Sequence, residues 1–145
     1  MTAKPLLSVE HLSVDFKLKS GLFGSRTLSA VRDVSFDIER GKTFGLVGES
    51  GSGKSTIGRA VLRLVQASAG RIEFDGQDVA AFGRATPLAF RRDVQVVFQD
   101  PMSSLNPRQT VGTTPGQAID RHRPMTAQQP DKEIPKLVDS LGLGA

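Results

Sequence analysis

Residues Gly48-Glu49-Ser50-Gly51-Ser52-Gly53-Lys54-Ser55-Thr56 place three glycines, four hydroxyls and one lysine in nine positions. The chemistry such a stretch can do is to wrap an anion. A phosphate chain is enclosed by backbone N–H groups only where the backbone takes conformations that glycine adopts without steric cost. Gly48, Gly51 and Gly53 supply them. A lysine at the end of the wrap would reach the outer phosphates, and a following hydroxyl would hold a divalent cation bridging them.

The elements on either side must position that loop. Thr43 to Val47 is a continuous apolar run without alternation, as expected of a short strand covered on both faces. Downstream, Ile57, Ala60, Val61, Leu64 and Val65 fall on one helical stripe, with Lys54, Ser55 and Thr56 in its first turn and Ala69-Gly70 just past its end. The helix would aim its N-terminal amides and positive dipole end at the same anion. Gly48, four residues, then Gly53-Lys54-Ser55 meets the P-loop pattern in the strand–loop–helix setting the mechanism requires. Kinases, GTPases and transport ATPases all use that loop, so it leaves the reaction open.

Elsewhere the pattern predicts strands. Leu7, Val9, Leu12, Val14 and Phe16 form an early strand with a register irregularity near His11. KLKSGLFGSR (17–26) reads as an exposed turn, and Val34, Phe36 and Ile38 alternate as a half-buried strand. Glu39 to Lys42 is a turn. Ile72 and Phe74 mark a strand closed by Asp75-Gly76. Val94, Val96, Val97 and Phe98 form a further buried strand ended by Gln99-Asp100-Pro101, and Leu137, Val138 and Leu141 suggest a final short helix.

The 145 residues suit one domain with a core. From Asn106 onward the chain is polar and holds five of its eight prolines, which makes residues 1–105 and 106–145 the expected division. No cysteine is present, which removes disulfides and thiolate metal sites. No apolar run approaches a membrane span or a signal-peptide core. The net charge of +4 is scattered, with no alternation of aromatic and basic residues, and points to a solvated basic surface rather than a nucleic-acid partner. His11 and His122 have no ligand partner at useful spacing and read as surface residues.

LVGESGSGKST together with VVFQDPMSSLNPR resembles the ATP-binding subunits of ABC transporters, and within them the bacterial oligopeptide and dipeptide importers. The resemblance runs from about Leu7 to Val111. It implies an α/β fold: the P-loop NTPase core of an ABC ATPase, with an N-terminal antiparallel β subdomain. It also implies ATP and Mg2+ as ligands, with Gly48 to Thr56 on the phosphates, Lys54 and Gln99 as catalytic residues, and Ser55 and Gln99 on the metal. An aromatic stacks on adenine in the family; Phe16 matches that position best and Phe23 is the alternative. Permease subunits and a second ATP-binding subunit, in head-to-tail arrangement, are the implied partners, at the cytoplasmic face of a bacterial cell membrane.

The family pattern continues with an LSGGQ-type signature, a Walker B strand ending in Asp-Glu and a histidine switch, none of which this sequence contains. The acids after Asn106 are Asp120, Asp131, Glu133 and Asp139, and none follows four apolar residues. The expectation is therefore an N-terminal portion that binds MgATP without efficient hydrolysis. The family continues as a helix where this chain has VGTTPGQAID, and Pro115-Gly116 is expected to break it. Two other readings are a non-catalytic regulatory fragment and a small P-loop kinase with RHR (121–123) as a basic lid.

Overall fold

The computed structural model describes residues 4–20, 24–100, 106–110, 113, 114, 116, 117, 134–136, 139, 140 and 142. Two compact units divide the chain, Met1–Val94 and Gln95–Ala145. In the first, strands β1 (Leu7–Ser20) and β2 (Gly24–Ile38) precede helix α1 (Lys54–Val61), strands β3 (Ala69–Phe74) and β4 (Gln77–Asp78), a 3-10 turn (Val79–Phe82) and helix α2 (Leu88–Asp93). The four strands form an antiparallel sheet in the order β2-β1-β3-β4.

The irregularity near His11 is what makes β1 a core strand. Leu7 and Val9 occupy odd positions and Leu12 and Val14 even ones, so an unbroken strand would send the two pairs to opposite faces. All four are buried. Val9 pairs with Phe36 and Leu12 with Val34, so two residues of β1 oppose one of β2 between those pairs. This bulge re-phases the strand. A second bulge at Asp33 re-phases β2, and both His11 and Asp33 have φ 50°. Hydroxyls satisfy the displaced amides: His11 N–H donates to Ser35 Oγ at 2.8 Å, and Asp33 N–H to Ser13 Oγ at 3.0 Å. His11 is exposed, its Nδ1 2.6 Å from Asp33 Oδ1. Gly70, φ 88°, lies against the His11 and Glu10 carbonyls so closely that a Cβ would overlap them.

Ile57 and Ala60 of α1, Ile72, Val79, Val31 and Phe90 complete the buried cluster with the β1 residues. Phe90 meets Phe74 and Phe82 edge-on, with centroids 5.5 and 5.4 Å apart. Asp75-Gly76 closes the β3–β4 hairpin with both residues at positive φ, as a two-residue turn requires.

Asp78 fixes the next corner. Its Oδ1 accepts from the Ala80 N–H at 2.8 Å, capping the 3-10 turn, and its Oδ2 faces Arg71 Nε at 3.1 Å. The Ala80 bond, then Arg71, hold its carboxyl below the usual value. Replacing Asp78 by Ala is expected to cost about 1 kcal/mol, read as a lower Tm. Because the folded-state value is depressed, the carboxylate's contribution is complete above the ordinary Asp value of about 3.9 and is lost as pH falls through the lowered one. The difference in Tm between the wild type and Asp78→Ala should therefore shrink in acid.

Several elements depart from the pattern-based expectation. Residues 17–20 and 24–26 are ladder rather than turn, because Lys17, Lys19, Ser25 and Thr27 share one face while Phe16, Leu18 and Leu28 share the other. Helix α1 stops at Val61 although the apolar stripe runs to Val65. Arg63 takes φ 58°, its N–H donates to Ala60 O (3.0 Å) and the Leu64 N–H to Arg59 O (2.8 Å), which is a Schellman closure with arginine where glycine is usual. The Arg63 guanidinium offsets the strain by donating to Gly83 O (2.5 Å) and lying 5.6 Å from the centre of the Phe82 ring.

Thr43 to Val47 and Val94 to Phe98 form no strand. Both are largely apolar runs of the kind that pairs inside a parallel sheet, and such a run has no ladder without neighbours. Val47 is 93% and Val97 96% exposed. Phe44 instead stacks on Phe36 at 4.8 Å. Thr113, Thr114, Gly116 and Gln117 are helical, and Pro115, where the break was expected, lies outside the described residues. Phe23, the SSLNP residues 103–105, His122, RHR 121–123, Leu137, Val138 and Leu141 lie outside the described residues.

Candidate functional site

Gly48 to Thr56 fold into one tight loop running into α1. The Ser52 N–H donates to Glu49 O at 3.2 Å, and Ile57 N–H to Gly53 O at 2.9 Å opens the helix. Gly53, the N-cap residue, has φ 92° and ψ −1° and offers no side-chain cap. The first-turn amides of Lys54, Ser55 and Thr56 thus have no intrahelical acceptor and no capping oxygen. No acid lies in that turn. Together these amides and the dipole of α1 favour an anion there.

Lys54 folds back over the loop. Its Nζ donates to Gly48 O at 2.7 Å, Glu49 O at 2.5 Å and Ser52 Oγ at 3.2 Å. The ammonium therefore sits inside the ring of backbone that precedes it, using all three donors. A Cβ on Gly48 would come 2.8 Å from Ser52 Oγ, inside the same ring. Gly48 to Ser52 and Ser55 are exposed and Gly53, Lys54 and Thr56 half-buried, so an incoming anion meets the loop from solvent.

The antiparallel sheet fixes the loop's position at one point. Val14 pairs with Val31 and Asp15 with Ser29, which leaves Ala30 as a bulge on β2. The Ala30 carbonyl lies against Gly53 so closely that any Cβ there would overlap it, and Val31 Cγ2 packs 3.4 Å from the same point. This Ala30–Gly53 contact was not anticipated from sequence. Its trace is the spacing of three from Leu28 to Val31, which breaks the period of two and marks a bulge.

Phe16 lies on β1 opposite Leu28, 36% exposed. It belongs to the strand pair that carries the Ala30 bulge. Gln99 lies on a bend, exposed, in the second unit. A cavity of about 730 Å³ lies away from the loop, between the end of α1, the start of β3 and the 3-10 turn. Its Arg63 and Arg71 are engaged with Gly83 O and with Glu73 and Asp78. Among the described residues no three His, Cys, Asp or Glu side chains cluster as a metal site.

The ABC transporter family model matches residues 31–145, most of the chain and the whole of the loop. The chain belongs to the ABC transporter family. It is 46% identical over 144 residues to the glutathione import ATP-binding protein GsiA of Salmonella typhimurium, covering 97% of this chain and 23% of that protein. Against GsiA of Escherichia coli K12 the identity is 43% over 142 residues, with the same coverage. This chain thus spans about a quarter of the length of the curated relatives it matches.

Solved structures share the fold. An ATP-binding subunit of an ABC transporter superposes with TM-score 0.66 at 24% identity, covering 95% of this chain and 51% of that one. The cbiO1 subunit of Clostridium perfringens gives TM-score 0.65 at 26% identity, over 95% and 49%. An ATP-binding cassette in a dimeric, post-hydrolysis state bound to ADP and Pi gives TM-score 0.68 at 18% identity, over 92% and 56%. ABC ATPases bind ATP, dimerise and work with permease subunits at the cytoplasmic side of a membrane. Among the described residues no helix is long and apolar enough to cross one.

Proposed function

We propose that this chain holds MgATP as part of an ABC importer's ATP-binding subunit, the nucleotide's phosphates enclosed by Gly48 to Thr56. The observation that carries the reading is the seat of Lys54 Nζ on Gly48 O, Glu49 O and Ser52 Oγ at the uncapped start of α1. A cation held beside uncapped helix amides favours an anion such as a phosphate chain. The Ser55 hydroxyl would hold the magnesium, with the Gln99 amide oxygen as the further ligand that the family resemblance implies. Among the described residues no carboxylate cluster is present, and the ion would take its anionic ligands from the phosphates, as Mg2+ commonly does. When bound, it neutralises charge on the phosphate oxygens.

Phe16 supplies the ring against which the adenine stacks. Phe16→Ala is expected to weaken MgATP binding by roughly tenfold, the scale of one base–aromatic stack, with little change for inorganic triphosphate. Titration calorimetry with both ligands checks it; equal losses for the two would remove Phe16 from the base site. In the importer, Lys54 and Gln99 act in hydrolysis, which drives uptake of peptides, glutathione or similar solutes by permease subunits on the inner face of the membrane. A second ATP-binding subunit completes the site head to tail. The test is saturable MgATP binding by the protein; its absence at millimolar nucleotide contradicts the proposal.

A further inference from the structure

The strand pair that carries Phe16 has two faces, and one of them lies on the phosphate loop's side of the sheet. Val14 and Val31 pair there, both buried, and Val31 Cγ2 packs against Gly53. β1 holds no extra residue between Val14 and Phe16, so Phe16 continues the Val14 side. On β2 the extra residue Ala30 shifts the phase, which brings Leu28 opposite Phe16 and Arg26 opposite Leu18. Phe16, Leu18, Leu28 and Arg26 therefore share the loop's side, while Lys17, Lys19, Ser25 and Thr27 share the other.

This face runs outward from the loop. Val31 touches Gly53, Leu28 follows along β2, and Arg26 lies about 7 Å beyond Leu28. A nucleotide with its phosphates at Gly48 to Thr56 would lay its base over Phe16 and Leu28, with the base's far edge toward Arg26. Arg26 is the diagonal neighbour of Phe16, at on the order of 7–8 Å, a span that a long side chain bridges. It is exposed and joins no ion pair among the described residues. Of the described side chains on this face, Arg26 alone ends in a polar group.

A guanidinium donates hydrogen bonds and accepts none. A purine edge with two adjacent acceptors takes both arms of its fork. An edge with one acceptor beside an amino group takes one arm and sets a donor against the other. Guanine and hypoxanthine present the first kind of edge in O6 and N7; adenine presents the second in N7 and its N6 amino group.

We propose that Arg26 determines base specificity at this site, donating to O6 and N7 of a 6-oxopurine, so that guanine and hypoxanthine nucleotides bind more tightly than adenine nucleotides. That role rests on the reading of Phe16 as the stacking ring.

Titration calorimetry on the whole protein with MgATP, MgGTP, MgITP and magnesium triphosphate tests it. MgGTP and MgITP are expected to bind about fivefold more tightly than MgATP, the low end for a bidentate base contact because the site is exposed. Arg26→Ala should erase that ratio at an unchanged Tm. Arg26→Gln should reverse it, because an amide offers adenine an acceptor for N6 and a donor for N7. Wild-type protein that binds MgATP as tightly as MgGTP overturns the proposal, and so do variants at Arg26 that keep the wild-type ratio. Phe16→Ala separates that failure from a failure of the stacking reading. If Phe16→Ala loses MgATP but not triphosphate, an unmoved ratio in Arg26→Ala removes the arginine alone. If it loses both equally, the base site falls and Arg26 with it.

Discussion

Lys54→Ala is expected to weaken MgATP binding on the order of a hundredfold and to leave Tm almost unchanged. The two halves follow from the same geometry. Lys54 Nζ is exposed, and its contacts are with the loop's own Gly48 O, Glu49 O and Ser52 Oγ. Deleting it strands no buried charge, and the freed carbonyls face water, so stability has little to lose. On the proposed reading, binding loses the lysine's contact with the phosphates. Hydrogen bonds to charged groups contribute about 1.5–3 kcal/mol each, which is a factor of ten to a hundred or more. Calorimetric titration and a thermal melt on the same samples read both. A variant that binds MgATP as the wild type does would remove the lysine from the site; one that unfolds would make it structural.

Gly53→Ala should do the reverse, damaging fold and binding together. The residue sits at φ 92°, where a side chain costs about 1–2 kcal/mol in backbone strain alone. Its Cβ would also overlap the Ala30 carbonyl, a backbone atom of the sheet that cannot swing aside. The loop must then move off β2, taking the first amides of α1 with it. A Tm lower by about 10 °C is expected for a unit of this size, with MgATP binding lost beyond detection. Gly51→Ala is the control: it has φ 81° but nothing within 4 Å of the added carbon, so it bears the strain without the collision. If the two variants lose equal stability and affinity, the Ala30 contact positions nothing.

The tight loop of Gly48 to Thr56 and its run into α1 were legible in sequence because their requirements are local. Glycines at fixed offsets, a lysine, a hydroxyl and a helix start all fall within nine residues. The antiparallel strands were legible for the same reason, since alternation is a local pattern, and the break at His11 showed in the spacing of Val9 and Leu12. What escaped was set by distant residues. The end of α1 depends on Arg63 finding Gly83 and Phe82, some twenty positions on. Ala30 touches Gly53 across a bulge that a single sequence marks only by one irregular spacing. Thr43 to Val47 and Val94 to Phe98 have the composition of buried parallel strands, but a strand is a pairing, and pairing is not a property of the segment.

The most direct test of the central claim is amide hydrogen exchange with and without MgATP, followed in peptides spanning Gly48 to Ile57. Enclosure of the phosphates by the loop and the start of α1 predicts that these amides gain protection in the wild type and gain none in Lys54→Ala. MgATP at saturation that leaves Gly48 to Ile57 exchanging as before, or that protects some other segment instead, would contradict it.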